Sequence, residues 1–436
     1  MLADPMIIYG KHHERGREFG ELYVQTDSPY YQPGATVSGF VFLNLLKPYP
    51  GEDIKLKIKG LEKTCIIGHK EEEFYDPVRG VNIWSQKEHV TSDAAVCFNQ
   101  STKIFDFGPR ELLEPGQYTF PFSFRLPLHI PGTFHHVEHN LRASITYTAE
   151  AFLSSKDELA PKISYKNRFI VVEGSKTEEE SIKESTLTVI KLCGCCIPYG
   201  SVDLCAYFDK NAFKPGDSIK AFVKVDNSSS TAQISSVSVT LKQYIIIKSQ
   251  EKTILRSSVI YDYSDSKKIQ SKQAPTLLEF TIDLPKNPAT VDAFSKDLEF
   301  LKNAPLFKGQ FISSTTHGKL ITSRFELHVR ATPGALCANK AEVSVACHVM
   351  YPDYSLPPFE RPEEWTPKEL PSVIIPLNLD PTYPIHTEYA KEHLDEESLT
   401  QAKQSCADNL APNSLDATGA RLSYGALQEG NSMEAL

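Results

Sequence analysis

The chain has 436 residues, of which 41% are apolar and 23% charged. That is too long for one ordinary domain and apolar enough to build two sizeable cores, which excludes a globally disordered chain. The formal net charge of −9 is unevenly spread: residues 352–436 carry 15 acidic and 5 basic side chains, leaving 40 acidic and 41 basic before them. A neutral body argues against a general nucleic-acid binder, which needs a strongly basic face.

The first ten residues, Met1 to Gly10, hold no basic segment followed by a long apolar one, so no secretory leader is predicted. The longest apolar runs, such as Phe40–Leu43, fall far short of the ~20 residues a spanning helix requires. The expectation is a soluble chain. Nine cysteines, an odd number scattered over the length, do not make the framework of a secreted mini-domain and read as reduced thiols of a cytoplasmic protein.

In chain order, Thr36–Leu43, Ile54–Lys59, Tyr118–Arg125, Ile145–Phe152, Ile219–Val225, Ser236–Leu241, Leu277–Leu284 and Ser323–Val329 mostly alternate apolar with polar residues. Period two is the mark of half-buried antiparallel strands. Prolines 33, 115, 127, 131, 215 and 285 bound these runs rather than interrupt them, as a missing amide donor requires. Helical periodicity is confined to Val291–Lys302, read as a short helix in an insertion, and Glu388–Lys403, read as a charged helix near the end. The body is expected to be all-β and built of sandwiches.

An internal repeat organises the chain. Tyr31-Gln32-Pro33-Gly34-Ala35-Thr36-Val37 recurs as Phe213-Lys214-Pro215-Gly216-Asp217-Ser218-Ile219. In each copy Pro presets φ at the second turn position and Gly accepts positive φ at the third, so the chain reverses just before a strand. Ile54–Lys59 then matches Val237–Lys242, Phe120–Pro127 matches Leu278–Pro285, and Ile145–Ala151 matches Ser323–Val329, in the same order. Two similar β-domains are expected, at 1–173 and 186–351, with a linker at 174–185 and an acidic, largely disordered tail at 352–436.

These residues resemble the arrestin family, and its α-arrestin (arrestin domain-containing) branch most. The pointers are Tyr31-Gln32-Pro33-Gly34 with Gly39, Phe120-Pro121-Phe122-Ser123-Phe124, and Pro131-Gly132-Thr133-Phe134 leading to Tyr147. In the second half they are Cys195-Cys196 before Gly200-Ser201-Val202-Asp203-Leu204, then Phe213-Lys214-Pro215-Gly216-Asp217 and Asn227-Ser228-Ser229. The resemblance implies two tandem immunoglobulin-like antiparallel β-sandwich domains, the arrestin fold, with a flexible tail. It also implies a non-catalytic adaptor without cofactor that grips the cytoplasmic tails of receptors or transporters and recruits a ubiquitin ligase or clathrin-adaptor components. Such a protein is recruited peripherally to the plasma membrane or endosomes. An arrestin-shaped subunit of a retromer-type coat is the alternative.

In that branch a Pro-Pro-x-Tyr motif in the tail docks into the aromatic groove of WW domains. This sequence departs from it: Pro357-Pro358-Phe359 is followed by Glu360, and Asp380-Pro381-Thr382-Tyr383 lacks the first proline. Both remain candidate linear motifs. Pro376-Leu377-Asn378-Leu379-Asp380 resembles a degraded clathrin-binding peptide. No buried Arg–Asp pair of the kind that holds visual arrestins inactive is readable.

Other residues invite chemistry. His135, Glu138 and His139 have the spacing of inverted zinc peptidases, which made a zinc hydrolase a further alternative, but that chemistry needs a helix to bring both imidazoles to one metal. Between Pro131-Gly132 and the strand near Ile145 there is little room for one, so a surface histidine cluster in a loop is expected. Cys193, Cys195 and Cys196, with Cys205 beyond, are candidate acylation or thiol sites; no second cysteine pair supports zinc. Lys55, Lys57 and Lys59 share one strand face and are candidate contacts for a phosphorylated cargo tail or acidic lipid headgroups. Against that, lysines on a solvated strand also discourage edge pairing.

Overall fold

The computed structural model describes residues 11–12, 18–28, 30–77, 80–108, 112–138, 140–155, 157, 159–173, 182–192, 197–249, 252–285, 312–335, 337–351 and 368–384. Every regular element among them is a strand. The first half contributes β1 (Lys11–His12), β2 (Gly20–Thr26), β3 (Tyr30–Tyr31), β4 (Thr36–Leu45), β5 (Gly51–Asp76), β6 (Val81–Asp106), β7 (Gly116–Arg125), β8 (Phe134–Glu138), β9 (Leu141–Ser155) and β10 (Ile163–Val171). The second contributes β11 (Lys183–Leu192), β12 (Ile197–Phe208), β13 (Ala212–Phe213), β14 (Ser218–Asp226), β15 (Ile234–Lys248), β16 (Thr253–Asp265), β17 (Thr276–Asp283), β18 (Thr316–His317), β19 (Ile321–Pro333) and β20 (Ala341–Val349). Two short strands follow, β21 (Lys368–Glu369) and β22 (Val373–Ile375).

Each half is a two-sheet sandwich, and the sheets share one strand order apart from the additional β1 in the first half, β11 in the second and the tail strands. The first half runs β1-β10-β9-β5-β6, with β3 on β10 and β8 on β9; the second runs β13-β20-β19-β15-β16, with β18 on β19. The facing sheets run β2-β4-β7, extended by the tail strands, and β11-β12-β14-β17. The Pro-Gly repeat forms the same turn twice: Ala35 N–H donates to Gln32 O and Asp217 N–H to Lys214 O, both at 3.0 Å. Gly34 and Gly216 sit at φ of 79° and 89°, where a Cβ would be strained. The aromatic before each turn then pairs in parallel, Tyr31 opposite Val171 and Phe213 opposite Val349.

Period-two alternation builds both cores. Phe120, Phe122 and Phe124 on β7 point inward, as do Leu278, Phe280 and Ile282 on β17. Burying one such side chain contributes roughly 1.5–3 kcal/mol. The two halves also share apolar surface, since Ile245 and Ile247 of β15 and Ile321 of β19 belong to the core cluster of the first half.

One boundary differs from that read in the sequence. Lys183, Glu184 and Ser185, placed in the linker, open β11 and pair with Tyr207, Ala206 and Cys205 of β12. The tail is not wholly without order: β21 and β22 pair in parallel with β7, Val373 opposite Phe122 and Ile375 opposite Phe124. Isoleucine and valine at alternate positions suit a strand, and Ile375 lies 1% exposed in the first core. Among the described residues, the equivalent outer strand of the second half, β17, pairs with β14 alone. The helices expected at 291–302 and 388–403 lie outside the described residues.

Candidate functional site

The alternation of β5 sets the site. Leu56, Ile58 and Gly60 point into the core, and the next inward position is Glu62, whose side chain is fully buried. A carboxylate there needs donors, because an unpaired buried charge is very costly. It finds them on two other parts of the chain. Backbone N–H groups of Lys319 and Leu320 reach its oxygens at 2.8 Å and that of Ile321 at 3.2 Å, all from the tip of the β18–β19 hairpin. The Tyr383 hydroxyl donates to Glu62 Oε1. Gly318 makes the approach possible, since a Cβ there would lie 2.5 Å from Glu62 Oε2.

Tyr383 is held by its own turn. Its N–H donates to Asp380 O at 2.8 Å, Pro381 occupies the second turn position, and Asp380 Oδ1 accepts from Thr382 N–H at 2.8 Å. The turn is anchored where β6 bulges: the register steps from Gly60↔Phe98 to Leu61↔Val96, leaving Cys97 outside the ladder. An extra bulge residue is unpaired, and the Cys97 carbonyl accepts Asp380 N–H at 2.7 Å. Burial pushes the Tyr383 hydroxyl and the Cys97 thiol upward, so both stay protonated at neutral pH. Burial also raises Glu62, an effect opposed by the Tyr383 and backbone hydrogen bonds.

A second contact joins the halves nearby. Glu173, buried after β10, accepts from Gly132 N–H at 3.1 Å, from His317 N–H at 3.2 Å, and lies 3.2 Å from His317 Nδ1. Burial alone would raise its carboxyl, but these donors, His317 first, bring it below the usual range. Ser314 and Thr316 hydroxyls donate to the Thr133 and Gly132 carbonyls at 3.0 and 3.2 Å. At the rim, Arg256 Nε donates to Glu138 Oε2 at 2.8 Å. Together these contacts clasp the second half and the tail onto the first.

The expected histidine loop is a strand instead. His135 and Glu138 lie on β8, paired with β9, and an i, i+3 pair in a strand faces opposite sides. Glu138 is engaged by Arg256 and by His136, which with that arginine draw its carboxyl down to about 2. Burial lowers His135 to about 3, so this half-buried histidine is uncharged at neutral pH. His139 lies outside the described residues. Among those described, no three His, Cys, Asp or Glu side chains gather closely enough for a metal.

Lys55, Lys57 and Lys59 do share the outward face of β5. Lys57 faces Glu150 of β9, itself opposite Lys166 of β10, while Lys59 faces Thr148, opposite Arg168. Lys55 lies 3.7 Å from Asp53. Burial, followed by the like charges of Lys57 and Lys63, lowers Lys59. Around this pairing, Lys57, Lys59, Lys63, Lys166 and Arg168 lie near the single carboxylate of Glu150.

Pro381 is exposed, whereas Tyr383 is 4% exposed and turned into the core. Pro357, Pro358, Phe359, Cys193, Cys195 and Cys196 lie outside the described residues. Cys205 is buried on β12. None of the described cysteines is in a disulfide, and no described helix is long and apolar enough to cross a membrane. Sequence reasoning missed Glu62 and Glu173. The signal for Glu62 was present: a carboxylate at an inward position of an alternating strand.

Comparison with known proteins agrees with this architecture. The family profile for the arrestin (or S-antigen) N-terminal domain matches residues 20–177, and that for the C-terminal domain matches residues 198–353. Arrestin domain-containing protein A of Dictyostelium discoideum is 24% identical over 213 residues, covering 48% of this chain and 35% of the relative. The chain therefore spans only about a third of that protein. Arrestin domain-containing protein 5 of Homo sapiens is 24% identical over 328 residues, covering 72% of this chain and 83% of the relative. Arrestin domain-containing protein 4 of Mus musculus is 22% identical over 246 residues, or 55% and 56% of the two chains. Two corresponding sandwiches, matched in order by both arrestin domains, place this chain in the arrestin family, among relatives of the arrestin domain-containing type.

Proposed function

We propose that the protein is a non-catalytic adaptor that holds the cytoplasmic tail of a membrane receptor or transporter and links it to endocytic sorting. The observation that carries this reading is the parallel pairing of β22 with β7. The outer edge of the first sandwich accepts an extended chain, and strand addition is a general way to bind peptides of varied sequence. A cargo segment would take the edge now filled by the protein's own tail, which acts as a brake. The Lys57 and Lys59 face offers a second contact, for phosphorylated residues of the cargo or acidic headgroups of the membrane to which the adaptor is recruited. Segments of the released tail would then be free to meet a ubiquitin ligase or clathrin-adaptor components.

The test has two arms. Cytoplasmic-tail peptides of receptors and transporters are screened against the full chain and against Ile375→Ala, which loosens β22. Bound peptides are expected to protect β7 amides and to bind the variant several-fold more tightly. In cells, knockout is expected to slow internalisation of the captured cargo. Normal internalisation of every cargo found, or binding that leaves β7 unprotected, would overturn the proposal.

A further inference from the structure

Tyr383 is a tyrosine whose hydroxyl is the contact that closes the tail. We infer that Tyr383 is a phosphorylation site, and that its modification traps the tail away from β7. The inference concerns the tail alone and holds or fails independently of any cargo.

The docked pocket cannot take a phosphoryl group. The ring is 4% exposed and the hydroxyl sits against the Glu62 carboxylate. The ionisable groups acting on it are Cys97, Glu62 and Tyr147, all acidic or neutral. Lys319 Nζ is turned to the Thr382 carbonyl at 3.4 Å. Phosphotyrosine brings a charge of about −1.5 to −2 and three acceptor oxygens. Beside Glu62 it would meet like charge, and the backbone donors at 319–321 are committed to that carboxylate, the Lys319 N–H at 2.8 Å with only a longer 3.4 Å branch to the Tyr383 hydroxyl.

The tail is nevertheless built to leave. Its strand pairing with β7 spans five residues in two pieces, Ile374 is 79% exposed, and beyond the buried Ile375 and Tyr383 the described apolar side chains Leu370, Val373, Leu377 and Leu379 are only partly buried against the core. Segments with so few buried contacts open at low cost, well below global unfolding. An open tail exposes Tyr383 within Asp380-Pro381-Thr382-Tyr383-Pro384. A tyrosine kinase with Mg·ATP then completes the step. The phenol oxygen bonds to the γ-phosphorus, the bond to the β–γ bridging oxygen breaks, ADP leaves, and the phenol proton passes to the kinase's base. Because the product binds the open form alone, the modification shifts the population toward it.

The full chain is treated with a tyrosine kinase catalytic domain and Mg·ATP, and Tyr383 occupancy is followed by mass spectrometry beside amide exchange. Slow modification of the wild type is expected, with a rate at least ~10-fold higher in Ile375→Ala, where loss of a buried side chain opens the tail. Phosphorylated wild-type protein is expected to lose protection at Val373–Ile375 and along the facing β7 amides. Tyr383→Phe, treated identically, controls for the other tyrosines and should show no change on treatment. Absence of phosphate on Tyr383 in Ile375→Ala overturns the inference, as does phosphorylated Tyr383 with protection intact. Should Ile375→Ala fail to fold, the treated wild type against treated Tyr383→Phe decides by the same exchange readout.

Discussion

Across 321 positions of chain, the Tyr383 hydroxyl donates to Glu62 Oε1 inside the first sandwich. The same carboxylate accepts three backbone N–H groups from the second sandwich. Two closures, tail on body and domain on domain, therefore end on one side chain. Removing Tyr383 leaves Glu62 with fewer donors in a dry site, so the hairpin tip must feel the loss. Coupling of this kind needs only a shared acceptor, since an unmet hydrogen bond in low dielectric is costly to whichever partner remains.

Replacing Glu62 tests that sharing. Glu62→Gln keeps one carbonyl oxygen but turns an amide NH2 toward groups that are themselves donors. Each buried donor left unmet costs about 1–3 kcal/mol, so a total loss of roughly 2–4 kcal/mol is expected in denaturant unfolding. Amide exchange should rise together at Lys319–Ile321 and at Val373–Ile375. Loosening of the tail with the hairpin tip unchanged would show that the two closures are independent.

Gly318 supplies a steric test of the same contact. A Cβ at this position would stand 2.5 Å from Oε2, 2.7 Å from Cδ and 2.8 Å from Oε1 of Glu62, closer than real atoms pack. The carboxylate cannot yield without abandoning its backbone donors. Gly318→Ala is expected to cost roughly 1–3 kcal/mol, in the range of overpacked cores. Gly68→Ala is the matched control on β5, where the nearest atom is His89 O at 3.9 Å, and should change stability little. Equal effects of the two substitutions in thermal unfolding would mean that the approach of Gly318 to Glu62 is not needed.

The pattern of the strands was legible because it is local. Ile219–Val225 and Ser323–Val329 alternate strictly enough to show which residues face inward, and the Pro33-Gly34 and Pro215-Gly216 turns carry their own conformational preference. His135–Glu138 misled for the opposite reason: a short polar segment after Pro131-Gly132 reads locally as a loop, and it is the pairing of β8 with β9 that makes it a strand. The clasp was not legible as a unit. An inward Glu62 announces an unmet need for donors, but nothing near it says that a hairpin turn and a tyrosine far down the chain will meet it. Equally, the short Val373–Ile375 run carries too little pattern to separate a docked strand from an ordinary acidic tail.

Acid should affect the two contacts in opposite directions. Burial raises the Glu62 carboxyl above its ordinary 4.5, so the closed state holds its proton more tightly than the unfolded chain does. Its closure is therefore strengthened as pH falls through that raised value, a gain complete below the ordinary 4.5 and lost as pH rises again. Glu138 is drawn down to about 2, chiefly by His136 and against the effect of burial, with Arg256 adding to it. Its contribution is complete above 4.5 and is lost as pH falls from there toward 2. Exchange corrected for intrinsic rates should show Lys319–Ile321 at least as protected at pH 5.5 as at pH 7.5. Amides of β8 should loosen only below about pH 4. Loosening of both in the same window would contradict the assignment of separate carboxylates.

The Lys57 and Lys59 face separates an anion site from mere solvation. Like charges crowd here, Lys57 and Lys63 helping to lower Lys59 and Lys166 lowered first by burial. Lys103, two strands from Glu150, is instead matched to Asp53 at 3.1 Å and Asp106 at 3.0 Å. If the crowded pair receives an anion, Lys57→Glu with Lys59→Glu should weaken binding of a multiply phosphorylated peptide by roughly tenfold or more in low salt. The difference should shrink as salt rises, because exposed charges are screened within about a Debye length of 8–10 Å. Lys103→Glu should leave binding nearly unchanged, since its charge is already spent on two carboxylates. Equal weakening by Lys103→Glu would point to the net charge of the sandwich rather than to this face.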